Sequence, residues 1–213
     1  PMKPSAMTQP ALAVLLLIAA AGCATLPDKT PAPPESSQSP NLKCPKISEK
    51  ITLDGKLDEP DWSRVTELPF MLSRNNRQEK AVTEGGYGKI LWDDQFLYIA
   101  AVLEDSDVVS YTNARDQHTY QQGDALEIFL KFAADNRYIE LHVTPGNFNT
   151  DFFFPSRGSA IFPESYIGGD SATEWDCAMR SNVTVDGTLN NWRDRDRGWA
   201  VELAIPLADL NEV

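Results

Sequence analysis

The chain has 213 residues, with 19 Lys and Arg against 31 Asp and Glu and a formal net charge of −12. That length suits one domain with extensions. The charge argues against nucleic acid and anionic membrane surfaces as partners, and suits a neutral ligand, a basic partner or bound calcium.

The first residue is Pro1, so translation is expected to start at Met2 or Met7, or further upstream. Lys3 supplies a positive n-region, and Ala11 to Ala21 is an apolar run containing Leu15-Leu16-Leu17-Ile18. The run is too short to cross a bilayer and suits a secretory signal over residues 1–22. It ends Ala20-Ala21-Gly22-Cys23, which resembles a bacterial lipoprotein signal in which Cys23 carries the lipid. Ala24 after it, rather than Asp, implies the outer membrane, on the periplasmic side or at the cell surface. Residues 23–43 read as a disordered tether, because Pro27, Pro31, Pro33, Pro34 and Pro40 are spaced by Ser, Gln and charges. The folded domain is expected over 44–213.

Cys44 and Cys177 invite a disulfide in an oxidising compartment, the alternative being two free buried thiols. Two cysteines and two scattered histidines do not suit zinc. Ile47 to Leu53 is a strand candidate, Asp54-Gly55 a turn, and Glu59 to Val65 one helical turn. Residues 75–88 read as loop or edge. Lys89–Trp92 and Phe96–Leu103 form a hairpin around Asp93-Asp94-Gln95. Its second strand is apolar on both faces and is predicted to lie between two layers. Glu104 to Gly123 reads as a long polar loop with Tyr111, His118 and Tyr120.

A second hairpin follows. Leu126, Ile128, Leu130 and Phe132 alternate with Glu127, Phe129 and Lys131; Ile139, Leu141 and Val143 alternate with Tyr138, Glu140 and His142. A turn at Asp135-Asn136 places Phe132 opposite Ile139 and Lys131 opposite Glu140. One face is core. The other mixes hydrogen-bonding groups with rings and is the place to look for function. Asn149–Pro155, Trp175–Val185 and Gly198–Ile205 are further strands, 157–171 is an excursion, and Pro206–Leu210 starts a helix. Seven or eight short strands with almost no helix predict an all-β, antiparallel β-sandwich of jelly-roll or immunoglobulin-like type. The chain stops soon after an apolar strand, so one or two strands are expected beyond Val213.

Three blocks are distinctive in combination: Ile51-Thr-Leu-Asp-Gly-Lys-Leu-Asp-Glu-Pro-Asp-Trp62, Ile90-Leu-Trp-Asp-Asp-Gln-Phe-Leu-Tyr-Ile-Ala-Ala-Val102 and Asp124-Ala-Leu-Glu-Ile-Phe129. With the closing Trp199-Ala-Val-Glu-Leu-Ala-Ile-Pro206, they resemble the family-9 carbohydrate-binding modules over about Cys44 to Leu210. The resemblance implies a β-sandwich that binds sugars, as on proteins of polysaccharide catabolism, and that commonly holds structural calcium. It implies that Glu127 hydrogen-bonds sugar hydroxyls. Tyr120 and His118 are the rings nearest the family's stacking tryptophan, and His142 stands on the return strand where the best-known binders carry arginine. The second stacking tryptophan of the family lies beyond the last strand, outside this chain.

Sugar recognition needs flat rings under C–H faces and charged or amide groups at the hydroxyls. The candidate contacts are therefore Glu127, Tyr120, His142, His118, Phe129 and Tyr138. Trp62 and Trp92 read as core or turn anchors, while Trp175 and Trp192 sit beside loops. Asp105 and Asp107 are the candidate calcium ligands, without EF-hand spacing. The leading expectation is non-catalytic carbohydrate binding. Two alternatives remain: a glycoside hydrolase using Glu127 and Glu140, opposed by the Lys131 expected beside Glu140, and a haem-binding redox domain, as in some sandwich relatives, using Met71, Met179, His118 or His142.

Overall fold

Two sheets stack with their apolar faces together. The computed structural model describes residues 13–15, 43–70, 84–119, 122–133, 136–154 and 175–211. The larger sheet has five strands: β2 (Leu68–Pro69), β3 (Gly86–Trp92), β4 (Phe96–Glu104), β9 (Gly198–Pro206) and β8 (Arg180–Asp186), in that spatial order. The smaller has the order β1 (Ala13–Leu15), β5 (Leu126–Lys131), β6 (Tyr138–Val143) and β7 (Asn149–Phe154). All ladders are antiparallel. Only two short helices occur among the described residues, α1 (Pro60–Ser63) and α2 (Leu207–Asn211). The expected antiparallel β-sandwich is the fold observed.

Alternation decides what each sheet face meets. Leu97, Ile99 and Ala101 of β4 and Val201, Leu203 and Ile205 of β9 face Ile128, Leu130, Ile139 and Leu141 of the smaller sheet in one main core. The opposite faces of β4 and β9 offer Tyr98, Ala100 and Ala204 to a second cluster with Ile51 and Trp62. The doubly apolar β4 is thus covered on both sides, as its sequence required.

The cover over the second face is not the strand expected at Ile47–Leu53. The backbone there makes one ladder-like contact, between Lys46 and Trp92. Carboxylates take three of its N–H groups instead. Asp61 accepts from Ser48 and Glu49 (both 2.9 Å), and Glu59 from Thr52 (2.9 Å). Glu202, fully buried on β9, accepts from Asp54 N (3.0 Å), Gly55 N (3.0 Å) and Trp62 Nε1 (2.8 Å). Gly55 has φ +80°, and a Cβ there would lie 2.8 Å from Thr184 N. Only glycine brings this turn down onto β8 without strain.

Three further expectations are corrected. The 126–143 hairpin pairs Leu130 with Ile139, Lys131 with Tyr138 and Phe129 with Glu140, two residues away from the expected register. The loop is longer than a two-residue turn. Phe132 N donates to Arg137 O (3.4 Å), and the Arg137 guanidinium lies 5.3 Å from the Phe132 ring. A slip of two leaves every side chain on its expected face but removes Lys131 from Glu140. The last-but-one strand starts at Arg180 rather than Trp175, because 175–179 runs irregularly past Arg115 and Asp209. Cys44 and Cys177 are free thiols, not a disulfide. Cys177 is buried in the main core with Cys44 packed against it. Burial pushes their pKa values to about 12 and about 11, so both stay protonated and pack as small apolar groups.

The strand β1 comes from the apolar N-terminal run and pairs along the outer edge of β5, Leu15 opposite Phe129; it lies within residues 1–22, so processing at Cys23 would remove it and leave that edge open. An open strand edge presents unpaired backbone groups, and an extended apolar segment satisfies them. Cys23, the tether, Met71, Tyr120, Asp135 and the 157–171 excursion lie outside the described residues.

Candidate functional site

The outer face of the smaller sheet is built in rows. Register places Glu127 beside His142 and Thr150, then Phe129 beside Glu140 and Phe152, then Lys131 beside Tyr138 and Phe154. The sequence alternation that sends Leu126, Ile128 and Leu130 inward sends these side chains to the other side.

Two features make the face a site rather than a solvated surface. First, it is roofed in part by the loop before β5. Asp116 N donates to Asn149 O (3.0 Å) and Thr150 Oγ1 to Gln117 O (2.7 Å), fastening the loop along β7. His118 then lies over Phe152, ring centroids 6.2 Å apart and nearly parallel. Thr119, fully buried, places Oγ1 2.8 Å from His142 Nδ1. Second, the face is aromatic. Tyr138 stacks on Phe154 at 4.5 Å, Phe152 lies 6.3 Å from Phe154, and His142 meets Phe152 edge-on at 5.3 Å.

His142 is the centre of this arrangement. It is 3% exposed, and its Nε2 has no hydrogen-bond partner. Glu127 Oε1 lies 3.9 Å from that nitrogen and Glu140 Oε2 3.8 Å. These distances exceed a hydrogen bond but leave both carboxylates aimed at the same atom. Among the described residues neither glutamate is paired with a lysine or arginine. The Glu127 pKa is raised, chiefly by burial and then by Glu140, with His142 pulling the other way. A partly desolvated carboxylate pair around an unsatisfied imidazole can take a ligand that supplies donors to the oxygens.

Of the six expected contacts, the structure brings Glu127, His142, His118, Phe129 and Tyr138 to this face or its roof. Phe129 is beside the β1 edge, one row from His142. Phe152, Phe154 and Thr119 belong to the same face and were not singled out from sequence. Period-two reading of Asn149–Phe154 would have placed Thr150, Phe152 and Phe154 on one side, but only the β6–β7 register says which side.

The other candidates lie elsewhere. Trp62 is fully buried in the second cluster. Trp92 donates to Cys44 O (3.0 Å), and Trp175 packs against the main core. Trp192 is 75% exposed under the Arg193 guanidinium. Met179 is buried in the main core, on the opposite side of the smaller sheet from His142 and His118, so these do not form an axial pair. Asp105 accepts from Asp107 N (2.9 Å); burial first, and then Asp105 and Asp107 nearby, push the Asp124 pKa to about 6. Among the described residues no group of three or more His, Cys, Asp or Glu is arranged for a metal ion.

Fold and face together define a two-sheet β-sandwich with a recessed acidic and aromatic patch on one outer face. Residues 53–144, which contain the roof loop and the β5–β6 hairpin, match the model of the family described as carbohydrate family 9 binding domain-like. This bears out the resemblance read from the sequence blocks within that span; the closing block at Trp199–Pro206 lies beyond it. Similar solved structures include a family 9 carbohydrate binding module from Caldicellulosiruptor kristjanssonii in complex with cellotriose, at 18% identity and TM-score 0.46, covering 78% of this chain and 66% of that one. Its complex with glucose gives 18% identity and TM-score 0.44, covering 77% and 68%. A candidate carbohydrate-binding protein from Bacteroides uniformis ATCC 8492 gives 11% identity and TM-score 0.55, covering 81% and 75%. No curated protein matches the chain.

Proposed function

We propose that the chain is a non-catalytic carbohydrate-binding domain whose ligand lies on the outer face of β5–β7, anchored at Glu127, Glu140 and His142. The observation that carries this reading is the buried His142 Nε2, unpartnered and flanked by two carboxylates beside stacked rings. Sugars match such a surface: hydroxyls donate to carboxylates, and C–H faces lie on rings. The family match over 53–144 supports the ligand class. The anchor at Cys23 would hold this domain at the outer membrane of a bacterial envelope, on the tether of residues 23–43. A broad glycan panel with calcium present, followed by calorimetry on hits, tests the proposal. Glu127→Gln should weaken binding about tenfold or more, the effect of losing one charge-assisted contact. Absence of binding across the panel refutes it.

A hydrolytic reading has one observation in its favour. The register frees Glu140 from Lys131, so two carboxylates with different surroundings face each other across His142. Carboxylate pairs are the machinery of glycoside hydrolysis. Turnover of an aryl glycoside that vanishes in Glu127→Gln would favour it over binding alone.

A further inference from the structure

The charge of the site narrows the ligand class further, and this step rests on the sugar-binding reading. Glu127 and Glu140 are mostly buried, with side chains 16% and 12% exposed. Each lies within 4 Å of His142 Nε2, and among the described residues no side chain is shown donating a hydrogen bond to either. Lys131 is exposed and pairs across the ladder with Tyr138. Arg115, the cation of the roof loop, is committed to Asp151 (2.7 Å), Asp176 (2.6 Å) and Cys177 O (2.7 Å). Among the described residues the patch therefore sets two carboxylates around one imidazole, with no lysine or arginine paired to their charge. A neutral sugar hydroxyl satisfies hydrogen bonds but leaves that charge uncompensated in a partly desolvated place.

We propose that the site prefers an amino sugar, with a primary ammonium seated between Glu127, Glu140 and His142. An ammonium has three donors and no acceptor. Thr119 Oγ1 can accept from His142 Nδ1–H, which leaves Nε2 as a lone pair. One carboxylate oxygen of each glutamate then lies within 4 Å of that acceptor nitrogen. The 3.8 and 3.9 Å spacings are too long for direct hydrogen bonds and about right for acceptors sharing one donor atom between them. The half-buried rings beside this point, Phe129 on one flank and Tyr138 stacked on the buried Phe154 beyond, are the ones that can receive the C–H face of the ring.

Calorimetry on the full chain at about pH 6.5 tests this, using a fully deacetylated glucosamine tetramer, its N-acetylated counterpart, cellotetraose and spermine. The deacetylated tetramer should bind about tenfold tighter than both neutral tetramers, equivalent to about 1.4 kcal/mol. Glu140→Gln should bring the affinity for the deacetylated tetramer down to that for the neutral tetramers, with its melting temperature checked against the parent. Neutral tetramers binding as tightly as the amino sugar would overturn this inference and leave the carbohydrate reading standing. Spermine binding as tightly as the tetramer would also overturn it, because a bare cation site needs no sugar. Failure of every sugar would overturn the carbohydrate reading itself.

Discussion

Glu202 offers the sharpest test of how the fold is held. Its carboxylate is fully buried on the outer face of β9 and receives three N–H groups, from Asp54, Gly55 and Trp62. Glu202→Gln is nearly isosteric but has one acceptor oxygen and one donor amide. With the carbonyl turned to Asp54 and Gly55, the amide faces Trp62 Nε1, a buried donor against a donor. Stranding one buried donor costs about 1–3 kcal/mol. Part of that is returned, because burial raises the Glu202 pKa and the amide need not carry a charge inside. The net loss should be about 1–2 kcal/mol, or about 3–6 °C in melting temperature for a domain of this size. The sign with pH follows from the raised folded pKa. The parent alone bears the cost of charging Glu202, so its advantage over the variant narrows as pH rises through the folded pKa. Glu202→Ala strands all three donors and opens a cavity, and should cost about 4 kcal/mol or more. Urea unfolding followed by tryptophan fluorescence measures both variants. Sugar affinity should not change, since Glu202 lies on the far side of the other sheet. A Glu202→Gln variant within about 0.5 kcal/mol of the parent would refute the view that this carboxylate pins the N-terminal cover.

Three other outcomes are expected. Thr119→Val removes the partner of His142 Nδ1 and should lower stability by about 1–3 kcal/mol; imidazole nitrogen NMR should show a changed tautomer balance at His142, and an unchanged spectrum would contradict the contact. Asp124 is held at a pKa of about 6 by burial and by Asp105 and Asp107, so its folded form binds a proton more tightly than the unfolded chain. Stability from this group is present at low pH and is lost as pH rises from about 4 through 6; Asp124→Asn should flatten that fall and raise stability near pH 7.5 by about 1 kcal/mol, discounted for partial exposure. With Cys44 and Cys177 as free thiols, a reductant should leave the melting temperature unchanged, whereas a clear drop would show a bridge.

The site was legible in part. Period-two alternation placed Glu127, Phe129, Glu140 and His142 on one face whatever the exact pairing, because a slip of two preserves sidedness. It could not place Lys131. A six-residue connection between Lys131 and Tyr138 shifted the ladder, and with it the partner of Glu140 from a lysine to a phenylalanine. Nothing local could reveal that Thr119 and His118 fold back over β6 and β7, since those contacts span 23 and more residues.

What the sequence determined alone is the sandwich and its layering. Strand alternation and the doubly apolar run at Phe96–Leu103 demand two layers against β4, because an apolar face must be buried somewhere. The order of blocks between Leu53 and Thr144 also carries the similarity to the family 9 binding domain-like model. Only tertiary structure decided the rest. It turned the expected first strand into a carboxylate-capped cover, left both thiols unbridged, and buried His142 between two glutamates. Each of these depends on which distant groups meet in a low-dielectric place. There an unpaired polar atom or charge is expensive, and its partner is chosen by geometry rather than by neighbours in the chain.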